Sequence, residues 1–286
     1  MYNPFVQDDT QVSDDELVAR AQEGDREALE RLVIRHQPWV LNLVVRMVWS
    51  YDDAQDLTQD ILVRMIKGLS GFRGESRFRT WLYRLALNQV FTFKNQRIDE
   101  PLYTWDFFGQ DLDQTPDGNL RTTDDAEKQL LIEEAKIICT MAMLLCLDGR
   151  QRAAYILGEI FAVADSVGAE VLDVTPANFR QILSRARRDL YRFLDGKCGL
   201  INQSNPCRCA RKTQGFIDAG VMKADRVHFA EGHRLRVRQV AQSRLHELEK
   251  TADRLHGELF RDHPFLDVPA QSKLVRRALD EVNRSI

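Results

Sequence analysis

Residues 173–194 read Asp-Val-Thr-Pro-Ala-Asn-Phe-Arg-Gln-Ile-Leu-Ser-Arg-Ala-Arg-Arg-Asp-Leu-Tyr-Arg-Phe-Leu. Thr175 stands where an N-cap hydroxyl belongs, and Pro176 where the first helical turn tolerates a missing N–H. From there Phe179, Ile182, Leu183, Ala186, Leu190 and Phe193 recur at helical spacing and form one apolar stripe. Asn178, Gln181, Ser184, Arg185, Arg188 and Arg192 are thereby turned toward solvent. A second helical pattern, 164–172, lies just upstream, with the turn Asp173-Val174 between the two. The pair reads as a helix-turn-helix whose second helix is polar and basic on its outer face.

Outward from this stretch the apolar period stays helical, and no alternating strand of useful length appears, so the chain reads as all-α. Helices are expected over 125–147 and 150–161. Nearer the N-terminus, Ser13 followed by Asp14, Asp15 and Glu16 marks a helix start that runs to Gly24. A helix over 26–49 is expected to bury Leu29, Leu32, Val33, Val40, Leu43 and Val44 and to bend at Pro38. The next, 52–69, carries Ala54, Leu57, Ile61, Leu62, Met65 and Ile66 on one face and leaves Asp53, Asp56, Gln59, Asp60 and Lys67 near solvent. A fourth, 80–96, turns Trp81, Leu82, Leu85, Ala86 and Val90 inward.

Charge sorts the chain into blocks. The whole carries a formal charge of −3 over 286 residues. Residues 97–134 carry 3 basic and 11 acidic side chains, while 196–286 carry 17 and 11. The acidic block holds Pro101, Gly109, Pro116 and Gly118 without a clear period and reads as a flexible linker. With 44% apolar and 29% charged residues the chain is a folded one, long enough for two or three small domains. No apolar run approaches the roughly 20 residues of a membrane span, and the polar, acidic start is unlike a signal peptide, so a cytoplasmic protein without a membrane partner is expected. Five cysteines, three of them clustered, suit a reducing compartment and not a disulfide framework.

Three strings carry a family resemblance: Asp15-Glu16-Leu17-Val18-Ala19-Arg20-Ala21 with Gly24-Asp25; Asp53-Ala54-Gln55-Asp56-Leu57-Thr58-Gln59-Asp60; and the seventeen residues from Phe72 to Asn88, FRGESRFRTWLYRLALN. On these, residues 13–96 resemble region 2 of the bacterial sigma-70 family in its compact extracytoplasmic-function (ECF) form, and 135–196 resemble region 4. The implied layout is region 2 (13–96), an acidic linker (97–134), region 4 (135–196) and a helical C-terminal extension (197–286). The implied function is that of a sigma factor, which binds core RNA polymerase and directs promoter-specific initiation at minus-ten and minus-thirty-five elements.

The resemblance also assigns residues. Asp53, Asp56, Gln59 and Asp60 would dock on the clamp helices of the polymerase largest subunit, where carboxylates can meet arginines bidentately. The loop and helix holding Phe72, Arg73, Ser76, Arg77, Arg84, Asn88 and Lys94 would open and read the minus-ten element. Opening a base pair needs cations on the displaced phosphates, which Arg79 would also supply, and an amide such as Asn88 to pair with a flipped base. Thr175, Asn178, Arg180, Gln181, Ser184, Arg185 and Arg188 would enter the major groove at the minus-thirty-five element. Core RNA polymerase, including the beta-subunit flap for region 4, and promoter DNA are the implied partners, and a separate anti-sigma factor would fit the family.

The extension lies beyond the minimal family pattern. Cys198, Cys207 and Cys209 form a C-x8-C-x-C cluster in which three thiolates could hold zinc, with His228 or His233 as fourth ligand, or act as a redox sensor. Leu245, Leu248, Ala252, Leu255 and Leu259, with Leu274, Val275, Ala278 and Leu279 after Pro269, read as a helical hairpin. No nucleophile constellation, phosphate loop or paired-carboxylate site occurs, so no enzyme activity and no required cofactor are expected. The alternative is a metal- or redox-responsive helix-turn-helix regulator that binds DNA without polymerase.

Overall fold

The computed structural model describes residues 12–48, 50–93, 103–225 and 252–261. Among them the regular elements are helices, and the β content is one isolated bridge between Cys198 and Cys207. In chain order the helices are α1 (Asp14–Gln22), α2 (Arg26–Met47), α3 (Tyr51–Leu69), α4 (Phe78–Thr92), α5 (Trp105–Gln114), α6 (Asp125–Leu145), α7 (Gly149–Tyr155), α8 (Asp165–Leu172), α9 (Pro176–Lys197), α10 (Cys209–Asp218) and α11 (Ala252–Arg261). A π-helical turn, Ile156–Ile160, closes α7. Contacts divide the described residues into two units. The first holds α1–α4, α7, α8 and α9 as far as Ser184; the second holds α5, α6, the rest of α9, α10 and α11.

Capping sets the helix starts of the first unit. Ser13 accepts from the Glu16 N–H, Asp25 from Glu27 and Ala28, and Ser50 from Asp53, so each start satisfies donors that a helix leaves open. α2 runs unbroken through Pro38 and buries Leu32, Val33, Val40, Leu43 and Val44 as its period predicts, while Leu29 is only half-buried. It packs against α1, α3 and α4, which contribute Leu17, Leu57, Ile61, Leu62, Leu82 and Ala86. Trp81 and Leu85 are half-buried rather than core. Trp81 instead closes an aromatic group with Phe72 and Phe78, at centroid separations of 5.3 and 5.6 Å.

Two polar anchors lie inside this apolar packing. Asp14, a first-turn residue of α1, is buried and receives Arg35 at 2.6 Å and Arg79 at 2.5 Å, with His36 Nε2 3.3 Å away. Burial alone would raise its pKa, but His36, Arg79 and Arg35 outweigh that and hold the carboxyl well below the usual carboxylate range. The fully buried Arg152 of α7 donates Nη1 to the Met47 carbonyl at 2.6 Å, which ties α7 to the last turn of α2. Tyr83 and Trp39 set their rings edge-on to Phe161, just past the π-helical turn.

The second unit changes the expectation for residues 97–134. That stretch is not a featureless linker, because Thr104 caps α5 by accepting from Phe107 N–H, and Trp105 and Phe108 of α5 lean on Phe193 of α9 at 5.1 and 5.5 Å. Its apolar residues, Trp105, Phe108 and Leu112, do follow helical spacing, but two aspartates, Asp106 and Asp111, and Gly109 lie among them and hide the period. Leu112, Leu131, Ala135, Phe216 and Met222 form a small core shared by α5, α6, α10 and the turn after α10. Polar side chains sew the acidic segment to the extension: Lys212 donates to the Thr115 carbonyl at 2.5 Å and meets Asp117 at 3.2 Å, and Gln214 accepts from the Arg121 N–H. At Gly215 a Cβ would lie 2.6 Å from the Thr115 methyl and 2.7 Å from the Pro116 carbonyl, so the two backbones meet there only because the side chain is missing.

Of the expected C-terminal hairpin, the structure describes α11. His256 is buried against the C-terminal half of α9, with Nε2 2.8 Å from Asp195 and its ring stacked on Tyr191 at 4.3 Å. Leu245, Leu248, Leu274, Val275, Ala278 and Leu279 lie outside the described residues. No helix among the described residues is long and apolar enough to cross a membrane.

Candidate nucleic-acid interface

The helix-turn-helix forms where the sequence places it. α8 ends on Asp173 in the left-handed region, φ 54°, and the Val174 N–H returns to the Ala169 carbonyl at 3.0 Å. Thr175 then accepts from the Asn178 N–H at 3.2 Å, and Pro176 opens α9. The two helices approach closely at Gly168, where a Cβ would strike the Phe179 ring. Phe179, Leu183, Ala186, Leu190 and Leu194 are buried, with Ile182 and Phe193 half-buried beside them.

All seven residues expected to read the major groove, Thr175, Asn178, Arg180, Gln181, Ser184, Arg185 and Arg188, are exposed along α9. Arg180 makes a loose pair with Asp165 at 3.5 Å, and Arg188 bonds its neighbour Asp189 at 3.2 Å. Both pairs are at the surface, where such contacts contribute little and exchange readily for a phosphate. The arrangement offers amides, a hydroxyl and guanidinium groups on one helix face, the donor and acceptor set that base edges and phosphates call for.

The residues expected at the minus-ten element divide into three groups. Arg73, Arg77 and Asn88 are exposed, and Ser76 is half-exposed, around a loop whose Gly74 has φ 73°. Phe72 is half-buried and stacks edge-on against Phe78, so it shapes the loop from beneath. Arg84 is engaged elsewhere: its Nε and Nη2 donate to the Glu170 carbonyl of α8 at 3.2 and 2.6 Å. Lys94 lies outside the described residues. Arg79 is corrected outright. Its guanidinium is held on buried Asp14, so it secures the start of α4 to α1 instead of facing phosphate. An acid in the first turn of α1 looked like ordinary dipole compensation, and nothing local to Asp14 announces partners 21 and 65 residues away.

On α3, Asp56 and Asp60 are exposed while Asp53 and Gln59 are half-buried, and all four share the side opposite Leu57, Ile61 and Leu62. In the extension, Cys198 is buried and Cys207 and Cys209 are half-buried. Among the described residues no group of three or more His, Cys, Asp or Glu side chains is placed to hold a metal ion, and His228 and His233 lie outside the described residues. Burial, more than neighbouring thiols, pushes the Cys209 thiol up to about 12 and the Cys207 thiol above its ordinary value, despite the proximity of Arg208 and Lys212 to Cys207. At both thiols burial outweighs the basic neighbours.

Comparison with known proteins fits this geometry. The family model Sigma-70 region 2 matches residues 32–97. The chain is 32% identical over 178 residues to the ECF RNA polymerase sigma-E factor of Haemophilus influenzae, a match that covers 62% of this chain and 93% of that one. It is 43% identical over 89 residues to the RNA polymerase sigma-H factor of Pseudomonas aeruginosa, where it covers 31% of this chain and spans only 45% of that protein's length. A solved structure, described as CnrH in complex with the cytosolic domain of CnrY, aligns with a TM-score of 0.47 at 23% identity, over 64% of this chain and 97% of that one.

Proposed function

The chain belongs to the ECF RNA polymerase sigma factors, which are non-catalytic factors of transcription initiation, and from that premise we propose how its surfaces divide the work. The acidic face of α3, with Asp53, Asp56, Gln59 and Asp60, docks on the clamp helices of core RNA polymerase. The loop from Phe72 to Arg77 and the exposed side of α4 capture the opened minus-ten strand. Asn88 pairs with one flipped base, while Arg73 and Arg77 hold phosphates. α9 enters the major groove at the minus-thirty-five element, with Asn178, Arg180, Gln181 and Ser184 toward base edges and Arg185 and Arg188 toward phosphates. The beta-subunit flap holds region 4 in place. Arg84 joins the minus-ten contacts by exchanging the Glu170 carbonyl for a phosphate.

The observation that carries this reading is the exposure of all seven groove-facing residues on a capped helix whose other face is buried. A second class, an operator-binding regulator that works without polymerase, is not favoured, because the relatives are named as RNA polymerase sigma factors.

Run-off transcription with purified core polymerase on a promoter-variant library tests it. Asn88→Ala and Gln181→Ala should each cost about 1 to 3 kcal/mol and each relax preference at a single promoter position. A uniform loss across all promoters, or sequence-independent transcripts from the parent protein, overturns the assignment.

A further inference from the structure

α1 grips the stretch between α3 and α4 on both sides. At the C-terminal end of α1, Gln22 donates its side-chain amide to two carbonyls at once, those of Leu69 and Phe72, each at 2.8 Å. Leu69 is the last residue of α3, and the Phe72 N–H returns to its carbonyl at 3.1 Å, so the amide spans the single turn that leads into the loop. At the N-terminal end of α1, Asp14 holds Arg79, in the first turn of α4, at 2.5 Å. Asp14 and Gln22 are the first and last residues of α1, roughly 12 Å apart along its axis at 1.5 Å per residue.

The hold at Asp14 stands in for a cap. Ser13, Asp25 and Ser50 cap α1, α2 and α3, whereas Arg77 occupies the N-cap of α4 and supplies no side-chain cap bond. The hold at Gln22 does something that α1 itself does not require. The groups left open at a helix C-terminus are carbonyls, yet Gln22 gives its donors to the carbonyls of another element. Gln22 is also exposed, so it adds nothing to the apolar core. Between the two holds Arg73, Gly74, Glu75 and Arg77 are exposed and Ser76 half-exposed, above the rings of Phe72 and Phe78, whose centroids lie 5.8 Å apart.

We propose that Gln22 is a positioning residue for capture of the minus-ten strand: by pinning Phe72 to α1 it presents Arg73 and Arg77 to the displaced phosphates in one fixed arrangement. The inference rests on the reading that the loop from Phe72 to Arg77 takes the opened strand. Phosphate contacts made by a loop that is already held need no ordering at the moment of binding, and the two amide bonds remove that ordering cost in advance. Gln22 acts only through the loop. A glutamate in its place keeps the length of the side chain but turns carboxylate oxygens toward two carbonyl oxygens, so it has no donor to offer either of them.

The test uses holoenzyme assembled from the full chain and core polymerase, on the promoter transcribed most strongly from the variant library. Gln22→Ala and Gln22→Glu should each slow open-complex formation about 5- to 10-fold, as expected for the lost hydrogen bonds, with affinity for core polymerase unchanged. In the free chain, Gln22→Ala should speed hydrogen exchange across 70–77 and leave α2 as in the parent. Added to a chain that already carries Arg73→Ala and Arg77→Ala, Gln22→Ala should slow opening by no more than about 2-fold further, because its effect runs through those two side chains. A full loss in that background overturns the proposal, as does weakened binding of core polymerase that accounts for the slower opening. So do Gln22 variants that open the promoter at the parental rate while Arg73→Ala and Arg77→Ala slow it. Arginine variants that open it at the parental rate overturn the reading of the loop, and this inference with it.

Discussion

The two units of the molecule are held together in different ways. In the first, α1–α4 bury a broad apolar core around Leu17, Leu32, Val44, Leu57, Ile61 and Leu82, with an ionic knot at Asp14 and buried guanidinium groups at Arg46 and Arg152. The second also buries apolar side chains, among them Leu131, Ile137, Met141, Leu144, Leu190 and Leu194, and adds side chains that bond to backbone carbonyls, such as Lys212 on Thr115 and Arg208 on Cys207. The first unit behaves as an ordinary helical core in which apolar area dominates. In the second, individual polar contacts supplement the apolar packing, each worth little at the surface and more where it is enclosed.

The sharpest way to break this contrast is at the ionic knot. Asp14→Asn leaves Arg35, Arg79 and His36 without their carboxylate and should cost about 3 to 5 kcal/mol, read as faster hydrogen exchange in α1, α2 and the start of α4. A loss spread evenly over both units would refute a local role. The same knot sets a pH dependence. The Asp14 carboxyl is depressed in the folded chain, so its contribution is complete above the ordinary value of about 3.9 and disappears as pH falls through the lower folded value. Burial lowers the His36 pKa, with Asp14 opposing, so the folded chain binds its proton less readily and stability begins to fall below about pH 6.5. Acid unfolding of the first unit should therefore proceed in two stages, and Asp14→Asn should abolish the lower one.

Phe216→Ala should open the small core of the second unit and cost about 3 kcal/mol, with exchange rising in α6 and α10 and unchanged in α2. Thr175→Ala removes the cap of α9 and should cost about 1 kcal/mol, seen as fraying of its first turn. Arg121→Ala breaks an exposed pair with Asp218 and should leave stability within about 0.5 kcal/mol of the parent. A large effect there would mean that the polar seams of the second unit act as a coupled network.

The same contrast explains what was legible in the sequence. α2, α3, α4 and α9 follow their apolar period and their caps closely, because long helices on a broad core need the stripe that the eye detects. The groove-facing residues of α9 followed from that stripe by subtraction, and every one is exposed. α5 was missed because its three apolar contacts are diluted by aspartates that stay at the surface. Arg79 was misjudged for another reason. Asp14 lies 65 residues from Arg79, so their partnership leaves no local pattern.

Gly168 aims the helix that follows it. The Phe179 ring occupies the space where any other residue would carry a Cβ, so the angle between α8 and α9 is set by a missing atom group rather than by an adjustable contact. Arg188 stands nine residues beyond Phe179, roughly 13 Å along the axis at 1.5 Å per residue. A tilt of about 4° at the pivot would move its backbone by nearly 1 Å, as much as separates a good hydrogen bond from none. The aim of the recognition helix is thus a single-residue tolerance, held at a position that touches neither DNA nor polymerase in the proposed complex.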